Sequence, residues 1–262
     1  MKLIYNYHTH SKRCGHAIGE DEDYLRKALD LGIKRFGFSD HMIFPDGYKE
    51  PGIRGNPWEF DDYIKSTYSL RDKYKDQAEI LIGFEAEYIP QMVDYYKSLL
   101  KDKIDYLILG QHCYLKDKTF INYFHKDSDI NDVKKYIDDV IEGVRSGLFK
   151  YLCHPDLFMH SQYEWNIDLE NESKRLLKVC EEYHMPIEIN ICGMRRKGYD
   201  ENHYCYPNIK FYKLAATYNI KFVLGVDAHD PNHFNQIDVD KAIDFANRCG
   251  IKIDFEYKIL GK

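Results

Sequence analysis

Glu79-Ile80-Leu81-Ile82-Gly83-Phe84-Glu85-Ala86-Glu87-Tyr88 decides how the rest of the chain is read. The apolar, β-branched run predicts a strand. Side chains of an extended chain alternate between faces, so Glu85 and Glu87 share one face near its C-terminal end. Working outward, runs of the same kind predict strands over 2–8, 35–39, 106–111, 151–154, 186–190 and 221–227. Helical patterns fill the intervals, over 21–31, 59–74, 91–101, 131–146, 169–183, 207–218 and 239–249. Asn131 is placed to N-cap its helix, Gly147 to turn the chain after it, and Pro207 to occupy the first turn of another. Strands alternating with helices mean a parallel sheet, and about seven such units predict one α/β domain closed into a TIM-like barrel. That domain takes in the whole of 1–262. Three longer loops, 42–57, 114–130 and 191–206, interrupt the rhythm, and long loops in a compact domain are usually functional or mobile.

The strand ends carry the chemistry. His8-Thr9-His10 closes the first strand with two imidazoles on one face, and His16 follows in the adjacent loop. Ser39-Asp40-His41 closes the second, Glu85-Ala86-Glu87 the third, and Gly110-Gln111-His112 the fourth. Cys153-His154-Pro155-Asp156 and Asp227-Ala228-His229 close two more. In a barrel of this type the strand ends converge on one mouth, where the active site lies. Imidazoles and carboxylates brought together there would repel, titrate and stay unsatisfied, whereas divalent cations take both as natural ligands. One His-x-His at a strand end is weak evidence. Six strands ending in ligand-type residues are hard to obtain from structural needs alone.

Bulk properties narrow the class. In 262 residues, 44% hydrophobic and 31% charged, the balance is that of a globular protein with a substantial core. No apolar run is long enough to span a bilayer, and the N-terminus turns polar too soon for a signal-peptide core. The seven cysteines lack paired spacing, so reduced thiols in a cytoplasmic protein are expected. A formal charge of −6 argues against a nucleic-acid footprint. Twelve histidines are many for this length and point back to the strand ends.

As an ordered set, the strand-end motifs resemble the PHP (polymerase and histidinol phosphatase) family over essentially the whole chain, together with Gly15-His16, Glu188-Ile189-Asn190 and Gly225-Val226-Asp227-Ala228-His229. The resemblance implies a distorted (β/α)7 barrel holding two to three divalent metal ions, commonly zinc, iron or manganese. Carried over residue by residue, one ion would take His8, His10, Glu85 and Asp227. A second would share Glu85 and add His112 and His154. A third would take His16, His41 and His229. Asp40 and Asp156 are candidates to orient ligating imidazoles from behind. One departure stands out. Stand-alone histidinol-phosphate phosphatases of the family usually carry Arg or Lys shortly after the His-x-Asp motif, where this chain reads Leu157-Phe158-Met159-His160. His160 is a weaker and pH-dependent substitute, which bears on the substrate and not on the metal site.

The reaction implied is hydrolysis of a small phosphate monoester. Such anions need cations to offset charge and a nucleophile available at neutral pH, and bound divalent metal provides both. The chemistry would fall to Glu85, Asp227 and His229, with His233 as a candidate to protonate the leaving alkoxide. Arg195, Arg196 and Arg54, all in loops, are candidates to grip phosphate with guanidinium forks. His125, His160, His184 and His203 match no ligand motif, and Cys14, Cys113 and Cys153 are read as packing residues. The resemblance puts L-histidinol phosphate first as substrate, yielding L-histidinol and phosphate in histidine biosynthesis. The alternative is another phosphoesterase of the family, acting on a nucleotide, a different metabolite or phosphotyrosine. A metal-binding scaffold without turnover would predict lost ligands, and every ligand position is filled.

Overall fold

A computed structural model of the chain describes residues 2–48, 52–125, 128–160 and 164–261; parts of the predicted loops 42–57 and 114–130 lie outside these. Strand β1 (Tyr5–Asn6) leads through helix α1 (Asp21–Leu31) to β2 (Arg35–Phe38), and α2 (Phe60–Tyr74) leads to β3 (Glu79–Ala86). Helix α3 (Val93–Asp102) then brings in β4 (Tyr106–Leu109). These four strands pair in parallel in chain order, with Asn6 opposite Phe36, Phe38 opposite Ile82 and Glu85 opposite Ile108.

A hairpin follows, β5 (Cys113–Lys116) and β6 (Thr119–Asn122), antiparallel and inside the stretch predicted as loop. Asp117 and Lys118 make its turn with φ of 48° and 63°, the paired left-handed conformation that suits a tight hairpin. Helices α4 (Ile130–Arg145) and α5 (Ile167–Glu182) precede β7 (Ile187–Asn190), the one-turn helix α6 (Ile191–Met194) and α7 (Ile209–Ala215). Strand β8 (Phe222–Gly225) and α8 (Gln236–Cys249) complete the order.

The ring closes through single residues. Leu152 bridges in parallel to both Leu109 and Ile187, so the strand predicted over 151–154 shrinks to one bridging position between β4 and β7. Beyond β8, Ala228 bridges to Thr9, returning the sheet to β1. Seven parallel segments thus surround one core, a distorted barrel.

Two predicted helix starts are corrected. Asp129, not Asn131, is the N-cap of α4, accepting the Asn131 N–H at 2.7 Å and forming a capping box with Asp132. Asn208, not Pro207, opens α7 by accepting the Lys210 N–H. In both cases a side chain that can accept a bond from the first turn outcompetes its neighbour.

The inside of the barrel is filled by aromatic layers at the end away from the functional strand termini. Tyr5 and Tyr7 stack at 5.5 Å, and Tyr106 and Tyr257 pack edge-on to Tyr7. The Tyr106 hydroxyl lies 2.9 Å from the carbonyls of both Tyr7 and Phe38, crossing the barrel. That reach is open because position 37 is glycine: a Cβ there would strike the Tyr106 hydroxyl.

Candidate metal centre

Parallel pairing sends every strand to the same mouth, and the ligand-type residues meet there. Glu85, near the end of β3, is the hub. Its Oε2 lies 3.4 Å from Nε2 of His8, 3.4 Å from Nε2 of His10 and 3.0 Å from Nδ1 of His41. Its Oε1 lies 2.7 Å from Nε2 of His154 and 3.5 Å from Nε2 of His112. Asp227, just past β8, approaches from the other side, its Oδ1 3.0 Å from His10 Nε2, 3.3 Å from His229 Nδ1 and 3.6 Å from His8 Nε2. His16 sits at the exposed rim, its ring 4.6 Å from that of His229. Room for the hub comes from Gly110, where a Cβ would collide with the Glu85 carboxylate. Two of the converging residues adopt left-handed backbone, His154 with φ 27° and Asp227 with φ 48°.

The cluster is buried yet unfinished as a hydrogen-bonded network. His8 Nε2, His10 Nε2, His41 Nδ1, His229 Nε2, Glu85 Oε2 and Asp227 Oδ1 are all buried without an aligned hydrogen-bond partner. Such atoms are rare in folded proteins and call for an explanation. A divalent cation supplies it, because each orphan is a lone-pair donor of the type zinc, iron and manganese accept. Ligand atoms of His8, His10 and Asp227 lie within 4.8 Å of one another, as do those of His8, Glu85 and His154 and those of His10, His41 and His229. His10 joins His41 and His229 in the last group, and ligand atoms of Cys14, His16 and His229 form another.

Charge in the cluster is divided sharply. Burial opposes charge on His10, yet the nearby carboxylates of Asp227 and Asp40 lift its pKa to about 9. Burial and the neighbouring His10 push His229 down to about 3, and the two rings stack at 4.1 Å. A proton on one ring disfavours a proton on the next. Burial alone would raise Glu85, but His112, His8 and His41 hold its carboxyl well below the usual range.

Behind the ligands stand partners that the sequence reading assigned only in part. Asp40 is in place: Oδ1 accepts the His41 N–H at 2.9 Å and lies 3.6 Å from His10 Nδ1. Asp156 is not. It turns to the Asn208 backbone N–H at 2.6 Å and not to an imidazole, and burial pushes its pKa up to about 7. Two unassigned carboxylates lie beside ligand-type imidazoles instead. Glu87 Oε1 lies 3.3 Å from His112 Nδ1, and Glu188 Oε1 lies 2.8 Å from His8 Nδ1. The period-two pairing with Glu85 was the signal for Glu87; Glu188 carried only its place in a matching motif.

The arginines separate cleanly. Arg54 is buried with its fork on Glu87 at 2.9 and 3.0 Å, which corrects its reading as a phosphate contact. Arg195 is also corrected: its guanidinium is spent on Asp238 and on the carbonyls of Val226 and His233, pinning the chain that leads into Asp227. Arg196 remains at the mouth. It lies over the Tyr206 ring at 5.0 Å, donates to the Tyr206 hydroxyl at 3.1 Å and reaches His160 Nε2 at 2.6 Å. His160 therefore accepts from a cation, and burial and Arg196 both lower its pKa. It is a neutral neighbour and not a replacement cation. His233 sits behind His229, its Nδ1 accepting the His229 N–H at 3.1 Å.

A cleft of about 340 Å³ opens over the cluster, with Arg196, Tyr206, Leu157 and Ile53 in its walls. Among the described residues, no helix is long and apolar enough to cross a membrane, and no disulfide joins any of the cysteines.

A parallel barrel with histidines and carboxylates gathered at the C-terminal strand ends defines the class of metal-centred TIM-like proteins. Residues 6–191 match the PHP domain, and the chain belongs to that family. It is 27% identical over 267 residues to a Deinococcus radiodurans protein named "Probable histidinol-phosphatase", covering 98% of each chain. It is 22% identical to the histidinol-phosphatase of Bacillus subtilis, covering 92% of this chain and 98% of that one. Its fold is similar to the crystal structure of histidinol phosphate phosphatase from Lactococcus lactis complexed with zinc, L-histidinol and phosphate. There the TM-score is 0.73 and the identity 15%, over 97% of this chain and 96% of the other.

Proposed function

We propose that the chain is a phosphoric monoester hydrolase acting on L-histidinol phosphate, releasing L-histidinol and phosphate for histidine biosynthesis with two to three divalent ions. The observation that carries this reading is the Glu85 hub, whose two oxygens meet five imidazoles beside Asp227 under a cleft whose wall includes the Arg196 guanidinium. His8, His10, Glu85 and Asp227 would hold one ion, Glu85, His112 and His154 a second, and His41 and His229 with His16 or His10 a third. When bound, such ions offset phosphate charge and make water acidic enough to attack at neutral pH.

The remaining work is done by the chain. Arg196 takes a phosphate oxygen with the N–H groups that face the cleft, and Tyr206 keeps its plane fixed. Glu85 and Asp227 stay ionised under the surrounding imidazoles. Leu157, Ile53 and Tyr206 give the cleft an apolar side against which the rest of the substrate can pack. His233 supports the His229 backbone and leaves proton donation to groups that line the cleft.

The names of the relatives favour histidinol phosphate, and the two from Deinococcus and Bacillus match nearly end to end. A second reading, another monoester of a nucleotide, a metabolite or phosphotyrosine, is supported by the neutral His160 and by relatives named only as phosphatases. A kinetic comparison of histidinol phosphate with a panel of monoesters, on protein of measured metal content, separates them. Highest kcat/KM for histidinol phosphate is expected. No phosphate release from any monoester would end the enzyme reading.

A further inference from the structure

We propose that Glu188 is a positioning residue that ties two neighbouring ion subsites together, so that both lose affinity when it is displaced. The inference rests on the cluster being a metal site and adds a residue to which no ligand or catalytic role attaches. Glu188 lies in β7, fully buried. One oxygen, Oε1, is 2.8 Å from His8 Nδ1. The other, Oε2, accepts the backbone N–H of His154 at 3.1 Å.

His8 and His154 then meet again at Glu85. His8 Nε2 faces Oε2 at 3.4 Å, and His154 Nε2 faces Oε1 at 2.7 Å. Glu188, His8, Glu85 and His154 form a closed ring, with one carboxylate inside the cluster and one behind it. A carboxylate can only accept, so His8 must present Nδ1–H to Glu188 and turn the Nε2 lone pair inward. On the other side, Glu188 holds the peptide of a residue whose φ of 27° few side chains adopt unaided. The same oxygen also accepts from Asn190 Nδ2, which bonds Asp227 Oδ2 in turn, each at 3.1 Å. A third ligand is thereby drawn into the arrangement.

The space for this carboxylate is provided by the opposite strand. Glu188 pairs in register with Val223, and a Cβ at Gly225 would fall on Glu188 Oε1. Gly225 is extended and not left-handed, so the missing side chain is the reason glycine suits the position.

Two variants test the proposal by different routes. Glu188→Gln keeps the shape but sets an amide N–H₂ against either His8 Nδ1–H or the His154 N–H. Gly225→Ala displaces Glu188 without changing its charge. Metal-free protein, shown to be folded by circular dichroism, is titrated with Zn²⁺ against a competing chelator. Loss of orienting partners behind metal ligands typically costs about 10–100-fold in affinity, and a loss of that order is expected for both variants in two ions per chain. Unchanged affinity in a folded variant, or weakening confined to one ion, overturns the proposal. If one variant fails to fold, the other decides.

A readout on the unaltered protein covers the failure of both. The zinc-loaded chain should show a His8 Nδ1–H resonance protected from exchange, and its absence overturns the assignment. Zinc binding with no phosphate release would sink the enzyme reading and leave Glu188 in place. Zinc bound equally by wild type and variants would do the reverse.

Discussion

The two ends of the barrel interior are built from the same kind of group and finished in opposite ways. At the floor, tyrosines fill the space and spend their hydroxyls inside the protein: Tyr5 donates to the Asp254 carbonyl and accepts the Leu224 N–H, and Tyr257 donates to the Lys150 carbonyl. At the mouth, imidazoles take that place, with His8, His10, His41 and His154 buried, and several inward nitrogens are left without aligned partners. Burying a polar atom costs free energy unless it is satisfied, so the floor is complete as folded and the mouth is complete only with a cation. What marks a functional site here is unsatisfied polarity and not polarity alone.

Breaking the mouth should cost activity, and breaking the floor should cost only stability. Glu85→Ala removes the hub shared by the ions. Loss of several kcal/mol of charge stabilisation corresponds to a fall on the order of a thousandfold in kcat, with metal content dropping in parallel. Retained turnover at normal metal content would break the contrast. Saturating zinc should stabilise the fold by about 4 kcal/mol per ion at a thousand times Kd, read as the shift in denaturant midpoint with and without chelator. An unmoved midpoint would mean that the orphan atoms are not a metal site.

Arg196→Ala should lower kcat/KM by about 10- to 100-fold, the equivalent of a charge-assisted hydrogen bond, while bound metal stays constant. At the floor, Tyr106→Phe strips the hydroxyl from two buried carbonyls and should cost about 1–3 kcal/mol of stability with no change in metal affinity. Altered metal affinity in that variant would show the two ends to be coupled. His203→Ala, at an exposed residue 3.7 Å from Asp200, should stay within about 0.5 kcal/mol and leave activity alone.

The mouth was legible in the sequence for a physical reason. Ligands at strand ends obey the period of two, and a parallel barrel sends every strand end to one place, so His8, His10, Glu85 and Asp227 needed no knowledge of contacts. The arginines offered no such rule. Arg54 and Arg195 look like Arg196 as loop residues, and what separates them is a carboxylate 33 or 43 positions away. Glu188 escaped for the same reason, since its place depends on a glycine in the neighbouring strand. The hairpin was hidden by chemistry: Asp117-Lys118 turns tightly without the glycine or asparagine that would announce it. Asp156 misled because adjacency in a motif is not adjacency in space.

His154 and Asp227 carry a consequence for the protein's history. Both hold φ values that glycine adopts freely, at a cost for other L-residues of about 1–2 kcal/mol each, softened for Asp and His. A lineage selected in the laboratory for heat tolerance alone, and without divalent metal to stabilise the mouth, would drift toward glycine at 154 and 227 and shed its ion-holding groups on the way. Durability and chemistry compete for the same two positions, and only selection for both keeps the left-handed pair.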